Sequence, residues 1–179
     1  MTKKLRKIFM GMALVGLAVV CVIVWGSLRS FQAFTTRTLV AEVRCRPVGP
    51  QEFEVTLVQR LAGRPQPPET YRLRGDQWMI SGGVVKWHPW LTALGVPSYH
   101  KPTRLSGRFV RLTDELAAAP SAVDLNGGED RLWRWFVAMD RYLPFVDASY
   151  GSAAFADADP SATFSVYATP FGYLIDRLP

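Results

Sequence analysis

The chain has 179 residues, 49% of them hydrophobic, a formal net charge of +6 and two cysteines. This fits one globular domain plus an accessory segment and excludes a disulfide framework, because Cys21 and Cys45 fall in different parts of the chain. The positive charge is uneven: Lys3, Lys4, Arg6 and Lys7 precede the first apolar run, Arg29 and Arg37 follow it, and beyond them bases and acids balance. A neutral domain lacks the basic footprint that nucleic-acid binding requires, so no nucleic-acid partner is expected.

Residues 1–7 form a basic tail. Ile8 to Leu28, "IFMGMALVGLAVVCVIVWGSL", then runs 21 residues without a charge. As a helix it would be about 31 Å long, matching a bilayer's hydrocarbon core, so a transmembrane helix with the lipid bilayer as partner is expected. No small-residue cleavage site follows it, and Val20 stands before Cys21 where a lipoprotein signal needs a small residue, so the reading is an uncleaved signal anchor. Trp25 suits an interfacial belt, and the excess of flanking bases places the N-terminus in the cytoplasm. The expected location is the cell inner membrane, single-pass, with residues 29–37 as a juxtamembrane connector and 38–179 as a β-rich periplasmic or extracytoplasmic domain.

Within that domain, Ala41, Val43 and Cys45 alternate with Glu42, Arg44 and Arg46, and Phe53, Val55 and Leu57 alternate with Glu52, Glu54 and Thr56. Both patterns predict half-buried strands. "GRPQPP", residues 63–68, reads as a turn. Gly82-Gly83 reads as a two-residue hairpin loop, which would set Trp78 opposite Trp87 and bury both with Ile80 and Val85. Pro89 starts a helical turn with Gly95 past its end, and Trp90 and Leu94 would cover a sheet edge. Leu105 to Leu112 has strand composition with a bulge near Gly107 to Val110, and residues 115–128 read as a surface loop. Glu129 to Leu143 predicts an amphipathic helix that packs Leu132, Trp135, Phe136, Met139, Tyr142 and Leu143 onto the sheet and leaves Trp133 outside. Thr163–Ala168 and Tyr173–Asp176 predict a closing hairpin around Pro170-Phe171-Gly172. The expected fold is mainly β, an antiparallel sheet or partly closed barrel with one helix packed on it.

Chemistry is sparse. His88 and His100 are the histidines, "SYGSAAF" around Ser152 is no G-x-S-x-G elbow, and no spacing suits zinc or a nucleotide, so no catalytic residue, metal or cofactor is expected. Arg74-Gly75-Asp76 lies on a strand approach and reads as incidental. The candidate binding residues are Trp78, Trp87, His88, Trp90 and Trp133, as the lining of a barrel mouth.

Three stretches, "RGDQWMISGGVVKWHPW", "LGVPSYHKPTRLSGRF" and "LPFVDASYGSAAF", resemble an uncharacterised family of small bacterial single-span membrane proteins whose members are often labelled multidrug transporters or cation/multidrug efflux pumps. The resemblance runs from about Tyr71 to Phe155 and implies no catalytic residues. A pump needs a polar path built from several helices or a closed barrel, which a single uncharged helix does not provide. The leading expectation is therefore a non-enzymatic envelope or transporter-accessory module with a membrane-protein partner. A small-molecule-binding barrel with a Trp-lined pocket, and a hydrolase-like enzyme using His88, are the alternatives.

Overall fold

The structure, a computed structural model, describes residues 3–178 except 36, 62, 95, 97, 129, 130, 140 and 141. Helix α1 spans Lys3–Thr35 and so continues through most of the segment expected to be a connector. Its described side chains, Phe9 to Trp25, are all exposed. Among the described residues no helix is long and apolar enough to cross a membrane.

Strands β1 (Thr38–Gly49) and β2 (Glu52–Leu61) form an antiparallel hairpin. Their alternation does what it predicts: Ala41, Val43, Cys45, Phe53, Val55 and Leu57 are buried, and the charged residues between them pair on the outer face, as Arg46 does with Glu54 at 2.8 Å. The "GRPQPP" segment turns through β3, Arg64–Pro65, which pairs with the end of β2. Strand β4 (Glu69–Arg74) pairs with the other end of β2, and the chain then leaves this sheet for β5 (Gln77–Trp87).

Here the structure corrects the sequence reading. Gly82 and Gly83 lie in the middle of a continuous strand, so Trp78 and Trp87 stand at opposite ends of β5 and cannot face each other. The reason is steric. β5 is paired on both sides, by β6 (Tyr99–Arg108) and by β8 (Val146–Asp157), and a Cβ at Gly82 would run into the Lys101 carbonyl and come within 2.7 Å of the Pro102 Cα and the Tyr173 hydroxyl. Glycine is needed for close approach and not for a turn. The one-residue irregularity also falls here, with Thr103 as the extra residue between the Ser81–Arg104 and Gly82–Pro102 pairs, and not near Gly107 to Val110.

Between β5 and β6 lies α2 (Pro89–Ala93), with proline in its first turn as expected, but Trp90 and Leu94 are exposed and cover no sheet edge. After β6 come α3 (Leu112–Ala117) and β7 (Ala122–Asp124), which replace the expected loop. Helix α4 (Arg131–Met139) is shorter than predicted. Trp135 is 56% exposed and Tyr142 68%, while Met139 and Leu143 are half-buried, so among the described residues the expected stripe is only partly covered. Strands β9 (Thr163–Thr169) and β10 (Gly172–Leu178) form the closing hairpin where it was expected.

The strands assemble as two sheets. One runs β10-β9-β1-β2-β3 with β4 also on β2, and the other runs β7-β6-β5-β8. They share one core of Val43, Val55, Leu57, Leu73, Trp78, Ile80, Leu105 and Val166, with the Trp78 ring edge-on to Phe164 at 5.6 Å. Among the described residues no ladder joins the two sheets, so the barrel does not close. The edges of β8 and β10 meet instead through a side chain, the Tyr173 amide donating to Ser152 Oγ at 3.0 Å.

The chain crosses between sheets at Arg74-Gly75-Asp76. Gly75 has φ +135°, and a Cβ there would collide with the Arg108 backbone, while a Cβ at Gly107 would collide with the Arg74 carbonyl. The Asp76 amide donates to the Arg108 carbonyl at 2.9 Å, and its carboxylate accepts the Val110 amide at 3.1 Å. The triplet is a structural corner.

Candidate functional site

Two recesses differ in kind. The first, an open cleft of about 700 Å³ near the corner, is lined by Glu52, Arg72, Arg74 and residues 119–123. Arg72 and Arg74 both pair with Glu52, at 2.6 and 3.4 Å, and the Arg72 hydrogen bond holds that carboxyl below its usual range. These charges satisfy one another and leave little for a ligand.

The second is a cavity of about 440 Å³ where the start of β1, the end of β2, the β3 turn and the start of β6 converge. These strand ends lie near α1, since β1 begins directly after it. The β2 strand brings Gln59 and Arg60 and the β6 strand brings Tyr99, His100 and Lys101. Asn126 closes the wall from a turn after β7, held in the left-handed region (φ 51°) that asparagine tolerates. Its amide nitrogen donates to Gln59 Oε1 and to the Pro102 carbonyl, both at 2.9 Å.

Polar groups here are not all used. Arg60 gives one guanidinium nitrogen to Glu42 at 2.6 Å, but its buried Nε has no partner among the described residues. The same holds for His100 Nδ1. Burial pulls the His100 pKa down to about 4, because a low-dielectric site disfavours the imidazolium, so the ring is neutral near pH 7. Its ring lies 6.3 Å from that of Tyr173, whose buried hydroxyl is also unpartnered among the described residues and is held protonated by burial. A neutral imidazole, a free guanidinium N–H and ordered amides can hydrogen-bond a small polar molecule. His100 Nδ1 and the Tyr173 hydroxyl are each without a partner among the described residues, so the two are not joined by the hydrogen bond that a nucleophile–base pair has.

The sequence candidates lie elsewhere. Trp78 is fully buried in the core and joins no surface site. Trp87 sits beside Phe145, ring centres 6.3 Å apart, and the His88 amide donates to the Phe145 carbonyl at 2.8 Å. The His88 ring is exposed and 6.5 Å from Trp90, with no carboxylate or hydroxyl bonded to it among the described residues. The structure thus gathers Trp87, His88 and Trp90 with Phe145 into a surface cluster at the end of β5. The Trp133 side chain lies outside the described set. Among the described residues no three His, Cys, Asp or Glu side chains gather as a metal site would need.

Arg60 and His100 escaped sequence reading because each looks like the polar half of an alternating strand. The available signal was the 99–102 run, Tyr-His-Lys-Pro, whose proline marks irregular pairing. Cys45 is buried as its alternation implies; burial first, and the Asp159 carboxylate second, push its thiol up to about 12 and leave it inert. Compared with family models, curated proteins and solved structures, the chain matches none.

Proposed function

We propose that this chain is a membrane-anchored module that presents a β-sandwich on the extracytoplasmic side and serves a membrane complex as an accessory component. One observation carries the reading: the apolar segment of α1 stands away from the core with large side chains such as Phe9, Leu17 and Ile23 at 60% exposure or more. A continuous apolar surface of that extent calls for a partner, and the 21-residue uncharged run supplies the length a bilayer needs. The flanking bases favour an N-terminus on the cytoplasmic side. The resemblance to single-span proteins carrying transporter labels agrees with this placement, and a single helix without ionisable groups favours an accessory over a pump.

The test is alkaline carbonate extraction of membranes containing the full chain, followed by crosslinking. Retention in the pellet with a crosslinked partner is expected. Release by carbonate would overturn the anchor, and recovery of monomer only would overturn the accessory role. The second reading, small-molecule binding, moves from the tryptophans to the cavity of Arg60, His100 and Asn126, supported by the two unpartnered nitrogens there. It predicts that Asn126→Ala abolishes any ligand-induced rise in melting temperature.

A further inference from the structure

Five exposed large aromatics lie at the α1 end of the domain. Trp90 is 51% exposed, Tyr99 52%, Trp135 56%, Tyr142 68% and Phe145 37%. They come from α2, the start of β6, α4 and the turn before β8, which are far apart in sequence and are drawn together by strand pairing. Trp87 pairs with Val146, and the His88 amide reaches the Phe145 carbonyl, so α2 and the segment leaving α4 are neighbours. Helix α2 lies against α1. The opposite end, around α3, exposes aliphatic Val110, Leu112 and Leu116 and one aromatic, Phe155, which is covered on one side by the Arg108 guanidinium, with no tryptophan or tyrosine among the described residues.

We propose that this end is a second membrane contact, with α2, α4 and the Pro144-Phe145 turn resting in the headgroup layer of the bilayer that holds α1. The inference rests on the anchoring reading. Distance favours it: α1 continues only seven residues past the uncharged run, about 10 Å of helix, and β1 begins just beyond. The headgroup layer itself occupies about 5–7 Å on each side of the hydrocarbon core. Residue type favours it too, because Trp and Tyr have an apolar body and a polar tip suited to that layer. On α4, exposed Arg131 and Arg134 accompany the aromatic residues, the composition of a helix lying on an anionic surface. Two contacts, one spanning and one superficial, would fix the sandwich's tilt and aim the Arg60–His100 cavity at the bilayer surface.

The experiment uses the full chain in vesicles of mixed phosphatidylcholine and phosphatidylglycerol, with an environment-sensitive dye on one cysteine at a time. Native Cys21 reports the anchor. Leu94→Cys and Tyr142→Cys report the proposed face and Leu116→Cys on α3 is the reference, all three with Cys21→Ser; buried Cys45 does not compete for dye. Lipids carrying a quencher in the headgroup should quench positions 94 and 142 about twofold more than position 116, while an acyl-chain quencher should act on Cys21. Equal quenching at 94, 142 and 116 with Cys21 still quenched would overturn the surface contact alone. An unquenched Cys21 would overturn the anchor. A blue-shifted dye at 94 and 142 without lipid quenching would place protein there and overturn the lipid assignment.

Discussion

Trp78 and Trp87 belong to the same strand, and the paired sheets treat them in opposite ways. At the Trp78 end β5 lies under the β10-β9-β1-β2 sheet, against Phe164 and Leu105, and the indole is sealed. At the Trp87 end the indole is only half-buried, the strand passes into α2, and the neighbouring rings of His88, Trp90 and Phe145 reach solvent. The same residue type is sealed in one place and half-buried in the other because cover comes from neighbouring elements, which the strand's own sequence does not encode.

Mutation should separate the two ends sharply. Trp78→Ala removes the largest fully buried side chain and should cost about 3–5 kcal/mol, seen as a lowered urea midpoint for the full chain in detergent. A cost below about 1 kcal/mol would mean the sheets do not close over that end. Next in size is a pH effect at the other end. The folded His100 pKa of about 4 lies below the ordinary 6.5, so the unfolded chain binds the extra proton. Stability should be full above pH 6.5 and fall as the pH drops toward 4, by up to about 3 kcal/mol before solvent screening is allowed for. His100→Asn should flatten that dependence, measured as unfolding midpoints at several pH values; an unchanged acid slope would remove His100 as its source. Smallest, Trp90→Ala should change the same midpoint by less than about 0.5 kcal/mol, since Trp90 is half exposed.

Legibility followed the kind of signal. Strands β1 and β2 could be read because each has one wet and one dry face, which period-2 alternation records directly, and β9 and β10 because strand-forming residues flank the Pro170-Phe171-Gly172 turn. Strand β5 was misread at Gly82-Gly83, since two glycines between apolar runs look the same whether they make a turn or admit a neighbour's backbone. Strand β8 was missed altogether: its alanines, serines and Gly151 carry little β-propensity, and pairing with β5 makes them a strand. The α4 stripe was recognised, but an apolar stripe does not say what will cover it. The cavity depends on strands β1, β2 and β6 converging, a consequence of topology that local pattern does not contain.

The interlock of Gly75 and Gly107 reaches further than its corner. Each glycine admits the other strand's backbone, Arg108 over one and Arg74 over the other. A one-residue slip of β6 along β5 would bring Ser106 or Arg108 to the place of Gly107, where any side chain strikes the Arg74 carbonyl. Most sheets reject such slips only through exchanged inner and outer faces. Here the corner rejects them by contact, so the pairing that builds the cavity at the far end of β6 is proofread at the near end.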